Sequence, residues 1–139
     1  GNGMRTLRLE VVTPDRKVYE EDVRMVSVRG VGGSLGVLPN HIPLVTPLKI
    51  APVKVRKADD SVEWLAVHGG FMEVRKDKVV ILAEMAEKGS DIDVLRARAA
   101  KERAEARLRA RQENIDFRRA ELALQRALAR LQAAGGGED

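Results

Sequence analysis

The chain reads as a β module followed by a helical appendage: a sandwich or flattened barrel of short strands, then two antiparallel helices. Two observations predict this. Short strand-like runs, the first of them with an apolar–polar period of two, recur as far as Leu82 with turn residues between them. From about Asp91 to Ala134 the chain then has neither Gly nor Pro, and Ala, Arg, Leu and Glu dominate.

The strands follow in order. Leu7-Arg8-Leu9-Glu10-Val11 alternates apolar and polar, so one face is buried. Thr13-Pro14-Asp15-Arg16 is a turn, and a second strand is expected around Val18. Val23-Arg24-Met25-Val26-Ser27-Val28 alternates again, and the stretch from Gly30 to Gly36 supplies backbone-permissive positions. In Leu35-Gly36-Val37-Leu38-Pro39-Asn40-His41-Ile42-Pro43-Leu44 two prolines flank a histidine, which predicts an ordered loop that packs or faces a partner. Val53-Lys54-Val55-Arg56 and Val62-Glu63-Trp64-Leu65-Ala66-Val67 form a hairpin through the polar turn at Ala58-Asp59-Asp60-Ser61. Gly69-Gly70 precedes Phe71-Met72-Glu73-Val74, and Arg75-Lys76-Asp77-Lys78 turns the chain into Val79-Val80-Ile81-Leu82.

In the helical third, Ser90 is the expected N-cap of a first helix running to about Arg111. Gln112-Glu113-Asn114-Ile115-Asp116 is the expected hinge, and Asp116 caps a second helix from Phe117 to Ala133 that the Gly135-Gly136-Gly137 run stops. The second helix carries a stripe at Phe117, Ala120, Leu124, Ala127/Leu128 and Leu131; the first has a poorer one at Ile92, Leu95, Ala99 and Ala106. Alanine buries far less area than leucine, so the hairpin is expected to be marginal and easily opened. Gly1-Asn2-Gly3 ahead of Met4 reads as a leftover of expression, and residues 135–139 as a flexible tail.

Composition narrows the functional classes. The chain has no Cys, which removes disulfides and thiolate metal sites and fits a reducing compartment. No apolar run approaches the roughly 20 residues of a membrane-spanning helix. With 25 basic and 21 acidic residues the chain is mildly basic and suits an acidic partner. One Trp, one Tyr and two Phe are too few for a platform that stacks single-stranded nucleic acid. His41 and His68 are the only histidines, and no Asp or Glu lies close to His41 in sequence, which disfavours catalysis or metal binding there. The phosphate loop GxxxxGK[ST], the nucleophile elbow and the HExxH helix are all missing.

Ile92-Asp93-Val94-Leu95-Arg96-Ala97 stands at the junction of the two regions. On a helix, Asp93 and Arg96 would share a face, within reach of each other or of one anionic ligand. The basic residues that follow either form a solvated face with pairs such as Glu105 to Arg109, or meet an acidic partner, to which arginine's planar fork is suited. The residues alone leave open a nucleic-acid-binding module with a basic arm, a stand-alone nucleotide sensor, and a regulatory subunit.

Several motifs, in order from Met4 to Ala134, carry a resemblance to a known family. They are Val11-Val12-Thr13-Pro14-Asp15, the segment from Leu35 to Leu44, Gly69-Gly70-Phe71-Met72-Glu73-Val74, Ile92-Asp93-x-x-Arg96-Ala97, and Asp116-Phe117-x-Arg119-Ala120-Glu121-Leu122-Ala123. The chain resembles the epsilon subunit of the bacterial F-type ATP synthase, most closely the forms from bacilli and particularly thermophilic ones. The resemblance implies a flattened β-sandwich of about ten strands over residues 4–88, binding the rotor, and a regulatory, ATP-sensing helical hairpin over residues 89–134. It implies a non-catalytic subunit, peripheral on the cytoplasmic face of the cell membrane, that joins the gamma subunit to the c-ring and binds no nucleic acid. Leu38, Pro39, Asn40, His41, Ile42 and Pro43 would face the ring. The family often has Glu where Ser34 stands and Gly where Asn40 stands.

The resemblance also implies a switch. Folded down, the hairpin leaves the rotor free. Extended, its basic face (Arg107, Arg109, Arg111, Arg118 and Arg119) meets the alpha/beta catalytic head and inhibits ATP hydrolysis. ATP, a regulatory ligand and not a catalytic cofactor, favours the folded state by binding it preferentially. Ile92, Asp93, Arg96 and Ala97 match the family's nucleotide motif. Arg96 is then the phosphate partner, Asp93 orients the site or meets the adenine side, and Ala97 leaves room. Glu87, Arg103 and Arg126 match supporting positions.

Overall fold

The structure is a computed structural model that describes residues 5–110 and 116–137. Nine strands form one continuous sheet that folds into a flattened sandwich, followed by a 3₁₀ turn and two helices. The strands are β1 (Leu7–Val12), β2 (Lys17–Gly30), β3 (Gly33–Val37), β4 (Leu44–Pro47), β5 (Ile50–Lys57), β6 (Val62–His68), β7 (Phe71–Arg75), β8 (Lys78–Leu82) and β9 (Ala86–Lys88). They neighbour one another in the order β4-β7-β8-β1-β2-β5-β6-β9, with β3 attached to β2. All pairs are antiparallel except β1 with β8.

β2 links the two layers. Its first half pairs with β1, and its second half lies between β5 and β3. The sequence suggests two separate strands here, around Val18 and from Val23. They are one strand of 14 residues, because the intervening acidic run forms a charge ladder and not a turn. Arg8 on β1 reaches Glu20 and Asp22, both at 3.2 Å, across the exposed face. β3, β4 and β9 were not expected as separate strands; β3 begins among glycines, where a period-two signal has few side chains to show itself.

Leu9, Val11, Val23, Val26, Val55, Leu65, Met72, Val79 and Ile81 fill the space between the layers and are almost fully buried. β6 is covered on both sides. Leu65 and Val67 point into this core, while Ala66 packs outward with Ala129 and Ala133, beside Ile50, Trp64 and Ile92.

That outer cluster is the floor on which the helices sit. The chain leaves β9 through the 3₁₀ turn Gly89–Asp91, Ile92 remains extended, and α1 runs Val94–Ala110. The N-cap is therefore Asp93 and not Ser90: its carboxylate accepts the Arg96 N–H at 3.0 Å, and its carbonyl accepts the Ala97 N–H. Packing of Ile92 against the floor holds the backbone extended and delays the helix start. α2 (Phe117–Ala134) is capped by Asp116, whose carboxylate accepts the Arg119 N–H at 3.0 Å. It lies on β5 and β6, and α1 packs against α2.

The apolar face expected for α1 is the wrong one. Ala97 and Ala104 are buried, whereas Leu95 is 76% exposed. Ala99 and Ala106 are exposed as well. Alanine, not leucine, lets the two helices approach closely, so small side chains define the seam. Along α2 the buried residues are Ala120, Ala127, Ala129 and Ala133, while Phe117 is 43% exposed. The expected Glu105–Arg109 pair does not form, and no ion pair joins two α1 residues among those described. Gln112, Glu113, Asn114 and Ile115 of the expected hinge lie outside the described residues, as does Arg111.

Two glycines let α2 settle. A Cβ on Gly89 would collide with the Ala133 carbonyl, and one on Gly137 would come within 2.6 Å of the Trp64 ring. The C-terminal turn thus closes directly over the only tryptophan.

Candidate functional site

The helical hairpin and the sandwich enclose a cleft of about 520 Å³, lined by Glu87, Asp91, Ile92, Asp93, Arg96, Ala97, Ala100, Arg103 and Arg130. β9 supplies Glu87, the 3₁₀ turn and its exit supply Asp91 to Asp93, α1 supplies Arg96 to Arg103, and α2 supplies Arg130. Of the seven residues singled out for ligand binding, the structure brings together Glu87, Ile92, Asp93, Arg96, Ala97 and Arg103. Arg126 is not among the lining residues. Arg130 stands there instead, four residues on and about 6 Å further along the helix axis.

Asp93 and Arg96 do not pair through their side chains. The carboxylate is engaged by the Arg96 backbone N–H, so it fixes the first turn of α1 and aims its positive end at the cleft. The Arg96 and Arg103 guanidiniums are exposed and make no hydrogen bond or ion pair with a described residue. Ala97 is buried against α2, and with Ala100 it leaves the wall between the two arginines low.

Arg130 is held from below. Its Nε donates to Glu87 Oε1 at 2.5 Å, and its Nη2 lies 2.9 Å from Met85 Sδ. The same Glu87 oxygen lies 3.1 Å from His68 Nε2. Burial disfavours the charged form of Glu87, but the hydrogen bonds and charges of His68 and then Arg130 outweigh it, holding the carboxyl below its ordinary range. Sequence reasoning assigned His68 no role. It is the buried polar residue beneath the cleft, with its side chain 3% exposed. Among the described residues no three His, Cys, Asp or Glu side chains converge on a metal site.

The arrangement suits an anion that needs several planar donors: two free guanidiniums, a third on a carboxylate tether, and a helix N-terminus. The acidic Glu87 and Asp91 on the same rim oppose a bare polyanion and favour a ligand that also carries hydrogen-bond donors.

The other singled-out residues lie elsewhere. Residues 38–43 form a loop at one end of the sandwich, where the His41 N–H donates to the Leu38 carbonyl at 3.1 Å. Asn40 has φ 66°, a left-handed conformation that glycine adopts freely and asparagine tolerates. Leu38 is 55% and Ile42 73% exposed, so the loop presents apolar side chains to solvent. Arg107 and Arg109 on α1, and Arg118 and Arg119 on α2, are exposed and make no side-chain ion pair with a described residue.

Comparison with known proteins joins these two halves. The family model described as ATP synthase, Delta/Epsilon chain, beta-sandwich domain matches residues 6–89. The one described as ATP synthase, Delta/Epsilon chain, long alpha-helix domain matches residues 90–135. The ATP synthase epsilon chain of Halalkalibacterium halodurans is 63% identical over 111 residues, which cover 79% of this chain and 83% of that one. That of Anoxybacillus flavithermus is 59% identical over 109 residues, covering 78% and 81%. Among solved structures, a chain of the Euglena gracilis mitochondrial ATP synthase OSCP/F1/c-ring assembly superposes with a TM-score of 0.79 at 25% identity, covering 93% of this chain and 81% of that one. The chain belongs to the epsilon-subunit family of the bacterial F-type ATP synthase, a non-catalytic component of that complex.

Proposed function

We propose that this subunit works in the central stalk, joining gamma to the c-ring through the sandwich, and that its hairpin is an ATP-responsive brake on hydrolysis. The observation that carries the regulatory part is the cleft itself. Two unpaired guanidiniums, Arg96 and Arg103, line one cleft with the tethered Arg130 and the N-terminus of α1, between the sandwich and both helices. A ligand bound there touches β9, α1 and α2 together, so it binds the folded hairpin and has no comparable site once the helices separate. Such differential affinity shifts the equilibrium toward the folded state.

In this reading Arg96 and Arg103 hold the phosphates and Arg130 completes the clamp, while Ala97 and Ala100 leave space for the base. The exposed Arg107, Arg109, Arg118 and Arg119, with Arg111, meet acidic residues of the alpha/beta head when the hairpin extends. Leu38, Pro39, Asn40, His41, Ile42 and Pro43 meet the c-ring, which places the protein on the cytoplasmic face of the membrane as a peripheral component. Among the described residues no helix is long and apolar enough to cross a membrane.

The test is a distance measurement between probes on the sandwich and near Leu131, without and with ATP, in the isolated chain and in the assembled enzyme. The expected result is a short distance with ATP, a longer one without it, and loss of the ATP effect in Arg96→Ala. An unchanged short distance under every condition would sink the switch. Co-purification with gamma tests the stalk assignment separately.

A further inference from the structure

Beneath the cleft, one carboxylate oxygen serves two side chains, a guanidinium and an imidazole. Glu87 Oε1 accepts from Arg130 Nε of α2 and lies 3.1 Å from His68 Nε2 of β6. The imidazole is almost sealed, its side chain 3% exposed, and Nδ1 has no hydrogen-bond partner among the described residues. The charged groups in contact with it are Glu87 from β9 and, through the shared oxygen, Arg130 from α2. β5 brings only the apolar Ile50 opposite, and the segment before β9 brings the Met85 carbonyl, which accepts the His68 backbone N–H.

The neutral imidazole can donate through Nε2 to Glu87 and leave Arg130 its full charge-assisted bond. Adding a proton places a second positive charge beside the single negative one, in a site that water hardly reaches. The cluster then holds two cations and one anion, and one cation must lose part of its hold. His68 belongs to the sandwich and cannot leave. Arg130 rides on α2, which is fastened otherwise by a small floor of alanines, Ile50, Ile92 and Trp64.

We propose that His68 is a positioning residue that makes the docking of α2 proton-sensitive: charging its imidazole competes with Arg130 for Glu87 and loosens the hairpin from the sandwich. The latch does not depend on which anion enters the cleft, so it stands or falls separately from the ATP reading.

The chain carries its own reporters. Trp64 is the only tryptophan and lies under the C-terminal turn of α2, and the only other histidine, His41, is in the distant loop. The experiment follows Trp64 emission of the full chain, without nucleotide, across about pH 5–8, where imidazoles titrate. A transition toward the undocked signal on acidification is expected in the wild type and in His41→Gln, and its absence in His68→Gln, whose amide can still donate to Glu87 but cannot charge. As a second arm, the His68 ring protons are titrated by NMR in the wild type and in Arg130→Gln. Removing the competing guanidinium should move the His68 titration upward in pH and leave the His41 titration where it is in the wild type. A flat Trp64 profile in the wild type, a transition that persists in His68→Gln, or a His68 titration indifferent to Arg130 would each overturn the proposal.

Discussion

Gly89→Ala tests how the hairpin is seated. The new Cβ would press on the Ala133 carbonyl oxygen, with the Ala133 carbonyl carbon at 2.9 Å and the Trp64 carbonyl oxygen at 3.1 Å. All three are backbone atoms, so no rotamer change relieves the clash; either the last turn of α2 lifts or β6 shifts. Overpacking of this kind costs about 1–3 kcal/mol. Because β6 is locked between β5 and β9 and the end of α2 is not, the strain falls on docking. Among the described residues Arg130 to Glu87 is the one side-chain hydrogen bond between α2 and the sandwich that joins opposite charges, and such bonds contribute about 1.5–3 kcal/mol. The added strain is of the same size, so the docked-to-undocked ratio should fall about 5- to 150-fold. Trp64 emission and protease protection of α2 report this ratio, while the unfolding of the sandwich should move little. Gly32→Ala is the control for the general effect of replacing glycine, since nothing lies within 4 Å of its added Cβ. If Gly89→Ala matched Gly32→Ala in both assays, the close seating of α2 on the 3₁₀ turn would be wrong.

Three further outcomes follow from the cleft. Arg130→Ala should weaken ATP binding by about 10- to 100-fold, the loss of one charged hydrogen bond, whereas Arg126→Ala should change it by less than about threefold; calorimetric titration of both variants decides between the two arginines. Asp93→Ala should cost about 1 kcal/mol of α1 stability and speed hydrogen exchange at the Arg96 amide, while Asp93→Asn, an equally good cap, should leave both near wild type. The Glu87 carboxyl is held below its ordinary value of 4.5 in the docked state, so its contribution is complete above that value and is lost as pH falls below it. Hairpin docking followed by Trp64 emission should therefore show an acid transition below about pH 4.5 that disappears in Glu87→Gln, separate from any imidazole transition at higher pH.

Much of the fold was legible because burial on one face of a strand or helix writes a period into the sequence. β1, β5, β7 and β8 emerge from alternation and turn residues, and Asp116 and the glycine run bound α2 through capping chemistry that depends only on near neighbours. The glycine-rich β3 and the short β4 and β9 carry too little pattern. The length of β2 was hidden because its acidic middle looks like a turn until Arg8 appears opposite it.

The cleft divides the same way. Asp93, Arg96 and Ala97 are adjacent in the chain, so local helix geometry alone places them together, although only the extended Ile92 reveals Asp93 as the cap. Arg126 and Arg130 are indistinguishable by sequence: both are arginines on α2, four residues apart. What separates them is the axial register of α2 on β5 and β6, set where Ala129 and Ala133 meet Ala66 and where Gly89 admits the helix end. His68 likewise follows the outward side of a strand, and nothing in its neighbours announces that a helix from 43 residues after Glu87 will bring Arg130 to the same oxygen. Local sequence determined most of the strands, both helices and the juxtaposition of Asp93, Arg96 and Ala97 in the first turn of α1. Which arginine completes the cleft, and which histidine lies beneath it, was decided by long-range packing of small side chains.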